Sequence, residues 1–185
     1  MKLEGHFTAT VLRSVGAFCL LAFLGGPPLI AGGTNKIEGA FGIILGERVE
    51  DIGGVHWERT PSGEEMYKFI PKIPHDLIKA YHVLITPRTT KVCCVWGLGQ
   101  RNKQREAVKS EEEIFVKILT EKYGAAEPEP VPNLDETRTI DQGDRLVTLH
   151  IAEPDRGVYQ LDLRYVDTAL GKKAKEEMTA PRFPR

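Results

Sequence analysis

Two runs of strand-forming residues, "AYHVLIT" (Ala80–Thr86) and "KVCCVWGL" (Lys91–Leu98), flank the turn-forming "PRTT" and carry apolar side chains on both of their alternating sets. A strand that is apolar on one face needs one cover, whereas a strand apolar on both needs two. This hairpin is therefore expected in the interior of a sheet, covered at least in part on each side. With Thr86 opposite Lys91, regular pairing sets Val83 opposite Cys94, Leu84 opposite Cys93, His82 opposite Val95 and Tyr81 opposite Trp96. One face then carries Tyr81, Val83, Ile85, Val92, Cys94 and Trp96, and the other His82, Leu84, Cys93 and Val95.

The rest of the chain supplies neighbours for such a hairpin. "AFGIILG" (Ala40–Gly46) reads as a short buried strand, and "VHWER" with "EEMYKF" as a hairpin about the turn "TPSG". "IPKIPHDLIK" is too proline-rich for a regular strand and reads as a connector, with Asp76 capping one turn through Lys79. A helix is expected from Ser110, its N-cap, with Glu113 completing a capping box. Its apolar stripe would be Ile114, Phe115, Ile118 and Leu119, and Gly124 ends it. The proline-rich 126–133 is expected to be an extended loop. Beyond it, "RTIDQGDRLVTLHI" and "GVYQLDLRYV" read as three strands. The last turns Tyr159, Leu161, Leu163 and Tyr165 one way and Gln160, Asp162 and Arg164 toward water. "DTALGKKAKEEM" is an amphipathic helix with Leu170, Ala174 and Met178 on one side. Strands and helices do not alternate regularly, so the expectation is α+β: a largely antiparallel sheet of several hairpins, with one well-formed helix after the central hairpin and a C-terminal helix.

No charged residue occurs from Ser14 to Asn35, and "VGAFCLLAFL" (Val15–Leu24) is unbroken in its apolarity. About ten residues is the size of a signal-peptide core and short of the roughly twenty that span a bilayer. Export is expected, with residues 1–33 a signal peptide cut after Gly33; an uncleaved hydrophobic anchor is the alternative. Residues 34–178 then form a single α+β domain and 179–185 a flexible tail. The localisation that follows is periplasmic or secreted, with no stable membrane span after leader removal. Basic and acidic residues number 25 and 26, for a net charge of −1. That balance gives no field to attract nucleic acid.

"AFGIILG", "YKFIPKIPHDLIKAYHVLITPRTTKV", "ILTEKYG" and "LRYVDTAL", in this order behind a leader, resemble a broad group of small exported bacterial proteins of unknown function. The resemblance implies bacterial export and one domain; it implies no activity.

Without Cys19, which leaves with the leader, the chain keeps only the adjacent Cys93 and Cys94, so no disulfide can staple distant parts of the fold. His56, His75, His82 and His150 do not have metal-ligand spacing, "GLGQRNKQRE" lacks the lysine of phosphate-binding loops, and no serine sits on a glycine elbow. No catalytic, cofactor-binding or metal-binding set is assigned. The residues closest to chemistry are Cys93, Cys94 and His82: in the regular register His82 lies diagonal to Cys93, roughly 7–8 Å away by backbone. Leu84 and Val95 beside them point instead to an apolar setting that keeps a thiol protonated. Two adjacent cysteines on an extended strand also sit about 3.8 Å apart at Cα, too close for an ordinary disulfide. Packing is the expected role of both. The function that fits is a non-enzymatic exported protein that binds another envelope or secreted protein. The alternatives are a small-molecule or lipid binder with a cavity between helix and sheet, and a thiol-dependent enzyme using Cys93 and His82.

Overall fold

The hairpin that is apolar on both faces lies at the centre of an eight-stranded antiparallel sheet. The computed structural model describes residues 35–53, 57–59, 66–124, 127–129 and 137–179; the proposed leader and most of the tail lie outside them. In chain order the elements are β1 (Gly39–Ala40), β2 (Ile43–Ile44), β3 (Trp57–Arg59), β4 (Met66–Phe69), β5 (Ile78–Ile85), β6 (Val92–Gly99), α1 (Arg105–Tyr123), β7 (Glu127–Glu129), β8 (Thr137–Asp141), β9 (Arg145–Asp155), β10 (Val158–Asp167) and α2 (Thr168–Thr179). The fold is α+β. The sheet runs β3-β4-β5-β6-β10-β9-β8-β7, so two four-stranded meanders meet through their last strands, β6 and β10. Helix α1 leaves β6 and packs across β10 and β9 toward the far edge, where β7 begins. Pro128 has no N–H to give the ladder and stands in the edge strand β7, where only one side needs pairing.

On the first face, Val83, Ile85, Val95, Val147, Leu149, Ile151, Leu161, Leu163 and Tyr165 meet Val108, Phe115, Leu119 and Tyr123 of α1 in one core. The N-terminal segment completes it with Ile37, Ile43 and Leu45. This segment is sewn to the sheet by backbone bonds, from Val92 N–H to Glu47 O and from Gly46 N–H to Val92 O, both 2.8 Å. The Arg145 guanidinium donates to the carbonyls of Ile37 (2.9 Å) and Leu45 (3.2 Å). Helix α2 packs on β6 and β10, with Gly171 facing Val166.

Several sequence expectations change. Ala40–Gly46 is not one strand but the two-strand hairpin β1–β2, because Phe41 and Gly42 turn the chain with φ of 56° and 84°. A left-handed Phe costs about 1–2 kcal/mol. Its ring offsets this by meeting Tyr81 (4.9 Å, edge-on) and Tyr165 (6.3 Å, edge-on) above Gly97. Asp76 does not open a helical turn through Lys79, since β5 already begins at Ile78; the Tyr81 hydroxyl instead fixes the connector by accepting from His75 N–H at 2.9 Å.

Helix α1 begins at Arg105, five residues before the expected Ser110. The chain beyond β6 is pinned by reciprocal backbone bonds between Asn102 and Tyr159 (2.9 and 2.7 Å), and the Asn102 side chain accepts Gln104 N–H at 2.8 Å, so the helix starts at once. Ser110 is interior and donates to Glu106 O. The buried stripe is Val108, Phe115, Leu119 and Tyr123, while Ile114 and Ile118 are exposed. Gly124 ends the helix as expected, at φ 104°. Within the proline-rich 126–133, Glu127–Glu129 pair with β8 as a strand rather than forming loop.

The central register also shifts. Thr86 N–H does bond Lys91 O (2.9 Å), and Ile85 stands opposite Val92, but Leu84 then faces Cys94 and His82 faces Trp96. Cys93 is the extra residue of a β-bulge. Val92 and Val95 thereby both reach the core face, and both cysteines fall on the other.

Gly97 faces the core beneath Phe41, and a Cβ there would lie 3.1 Å from the Phe41 ring and 3.2 Å from Ile78 Cγ2. Gly97→Ala is expected to lower stability by about 1–3 kcal/mol through overpacking. In Gly97→Ala/Phe41→Ala the two losses should sum to more than the measured total, a coupling that urea denaturation of the four proteins would read.

Candidate functional site

The second face of the sheet was expected to be wet along β10, yet Asp162 there is only 2% exposed and Gln160 is buried. The alternation along β10 is as expected; what the strand alone does not contain is the cover. Asp162 stands on β10 beside Leu98 of β6 and His150 of β9, one row from Trp96 and Arg164. Trp96 Nε1–H donates to Asp162 Oδ1 at 2.9 Å. Arg164 donates twice, from Nε to Oδ1 and from Nη2 to Oδ2, both at 2.8 Å, and His150 Nε2 lies 3.9 Å from Oδ2. The guanidinium also stacks on Trp96, 4.5 Å from the ring centre. Asp162 is thus buried by the groups it orients. Its hydrogen bonds hold the Arg164 guanidinium above its usual pKa.

His82 continues this row on the other side of Trp96, with ring centres 5.5 Å apart. Burial, with Lys68 adding its charge, lowers the His82 pKa, and Nδ1 is buried without a hydrogen-bond partner. Cys93 and Cys94 are 3% and 8% exposed. Cys93 Sγ donates to Leu84 O at 3.3 Å, and burial pushes the two thiols up to about 11 and about 12. His82 and the cysteines therefore share a face, but no hydrogen bond joins imidazole to thiol. Neutral thiols shut away from solvent are poor nucleophiles. Among the described residues no group of three His, Cys, Asp or Glu side chains is placed to hold a metal ion. No described helix is long and apolar enough to cross a membrane.

The recesses lie elsewhere. The α1–sheet interface is filled by Val108, Phe115, Leu119 and Tyr123. A groove of about 580 Å³ opens beside it, between the β1–β2 hairpin, Ile73 and the end of α1 at Lys122 and Tyr123. Exposed Ile44 and Ile73 line it, and Lys36, Lys122 and Glu38 are its charged residues. On α1, Ile114, Ile118 and Lys122 follow at four-residue spacing, so one exposed stripe runs into the groove. A second cleft, of about 450 Å³, lies where β4 and β5 end their pairing.

None of these surfaces was named from sequence. Helical spacing alone places Ile114 and Ile118 in the core, because two apolar stripes on one helix do not say which one the sheet will take. Asp162 had a weaker signal: a carboxylate in a strand whose neighbours are buried, with Trp, Arg and His elsewhere on paired strands. Comparison with protein-family models, curated proteins and solved structures finds no match.

Two outcomes follow for the second face. Neither cysteine should label with a thiol reagent in the native protein on the time scale that labels both in urea, as mass spectrometry of the labelled peptides would show; rapid native labelling of either would contradict the buried, protonated state. Arg164→Ala leaves Asp162 buried without its main partner and should cost about 3–5 kcal/mol in chemical denaturation, more than Trp96→Phe, which removes one hydrogen bond worth about 1.5–3 kcal/mol.

Proposed function

We propose that this is a non-enzymatic, exported protein of the bacterial envelope or secreted fraction that acts by binding another protein. One observation carries the reading: large apolar side chains are held in water around one groove while the reactive side chains are shut away. Ile73 is 66% exposed, and Ile44, Ile114 and Ile118 also stand in solvent. Contiguous exposed apolar surface of this kind costs solubility and is kept where a partner covers it. The rim favours a partner that brings apolar side chains with acidic groups, since Lys36, Lys122 and the exposed Lys72, which packs over Gly42, outnumber Glu38. Both thiols are buried and raised in pKa, which speaks against thiol catalysis.

The test is capture of the partner from the envelope fraction with the wild-type chain and with Ile44→Ser/Ile73→Ser. The wild type should retain a discrete protein in stoichiometric amount, and the variant should lose it by about tenfold or more, as for central interface residues. A partner retained equally by the variant, and lost instead on substitution of Arg164 or Trp96, would move the interface to the second face and overturn this assignment.

A further inference from the structure

The edge hairpin β3–β4 joins the sheet along one short seam with β5, made of the pairs Met66–Leu84, Tyr67–Val83 and Lys68–His82. Past the last of these pairs β5 carries a bulge at Lys79, and the cleft of about 450 Å³ opens between the two strands. His82 therefore stands on the closing rung. Short elements at a sheet edge open locally at lower free energy than the paired strands of its centre.

The imidazole on that rung is 8% exposed, and its Nδ1 is buried with no hydrogen-bond partner. A neutral ring carries one proton, so the tautomer with hydrogen on Nε2 leaves Nδ1 a bare acceptor. The cation must carry hydrogen on both nitrogens, and Nδ1–H then becomes a buried donor that nothing receives. The charges around the ring come from four elements. Lys68 stands directly opposite on β4, and Glu58 of β3 stands opposite Lys68, one strand further from the ring. On the other side β6 presents the Trp96 ring and the protonated Cys94 thiol. Beyond Trp96, Arg164 of β10 adds positive charge, and Asp162 already receives the Trp96 and Arg164 donors. On α2, Glu177 accepts Arg88 N–H at 2.8 Å and lies 3.8 Å from Lys173. Of these groups Lys68 is the charge that acts on His82, and it adds to burial in lowering the imidazole pKa.

We propose that His82 is an acid-sensitive latch: its protonation unfastens β4 from β5, so that the β3–β4 hairpin parts from the sheet and the cleft extends along the freed edge. The sign follows from the direction of the shift. The folded pKa lies below the roughly 6.5 of an imidazole in an unfolded chain, so the closed seam binds fewer protons than the open one. The stability that His82 contributes is complete above about pH 6.5 and is lost as pH falls from there through the folded value. The latch is separate from the groove at Ile44 and Ile73, so protein docking there stands or falls independently.

The test is amide hydrogen exchange of the purified protein from about pH 7.5 to about pH 5, corrected for the intrinsic pH dependence of exchange. The opening constant of the seam, read at residues 66–69 and 81–84, should rise by up to about tenfold for each pH unit below about 6.5, while amides of β9 and β10 keep theirs. His82→Phe retains a ring beside Trp96 and removes the titration, so its seam should open to the same extent across this range. Lys68→Gln, at an exposed position, should raise the His82 midpoint and shrink the acid response. Imidazole chemical shifts of the wild type require no variant to fold: His82 should titrate below its midpoint in urea and carry its proton on Nε2 when neutral. A His82 midpoint at or above the one in urea, a seam whose opening ignores pH, an acid response spread equally over β9 and β10, or one unchanged in His82→Phe would overturn the proposal.

Discussion

The pairing of β6 with β10 is the constraint on which both faces of the sheet depend. It joins two meanders that are local in sequence but meet only through strands some sixty residues apart, so it carries the loop-closure cost of the fold. What offsets that cost is set on both sides of the pair at once. Leu163 and Tyr165 stand opposite Gly97 and Val95 on the core face, while Asp162 and Arg164 stand opposite Leu98 and Trp96 on the other. The Trp96–Asp162 hydrogen bond and the Arg164–Trp96 stack therefore cross the junction of the halves. Slipping this register by one residue would put Asp162 into the apolar core and Leu163 outside it.

Small departures from regularity then decide what each face can do. The bulge at Cys93 returns Val92 to the core and turns both thiols away from it. The bulge at Lys79 opens the cleft beside β4. The left-handed Phe41 carries its ring over Gly97, where only a glycine leaves room. Each device places a side chain where an unbroken ladder would not, and two of the three lie on the central hairpin. The result is a sheet whose core is continuous and whose chemistry-bearing groups are held in hydrogen bonds or shut from water. The exposed apolar groups border the grooves.

The binding role proposed above rests on that division. A nucleophile needs access, a depressed pKa and an orienting base, and Cys93 and Cys94 have burial and raised pKa values. In the Asp162 network the Trp96 Nε1–H and two nitrogens of the Arg164 guanidinium are held by one buried carboxylate. Exposed Ile44, Ile73, Ile114 and Ile118 have no comparable internal use.

The sequence by itself determined the elements: the central hairpin, the strands of the second half, the helix ended by Gly124, the C-terminal helix, and hence an α+β fold with an antiparallel sheet. These follow from periodicity and punctuation, which are properties of neighbours along the chain. It also determined that Asp162 and Arg164 leave β10 on the face opposite Leu161 and Leu163. Only the tertiary structure decided that Asp162 and Gln160 on this face are buried while Arg164 stays partly in water, because Trp96 comes from the other half of the chain. The same holds for the bulge at Cys93, since a one-residue slip changes no propensity and is fixed by which valines the core accepts. It holds for the start of α1, which the Asn102–Tyr159 bridge advances past a sound capping box at Ser110. It holds for Ile114 and Ile118 as well: helical spacing marks two stripes, and which one is buried is settled by the sheet beneath.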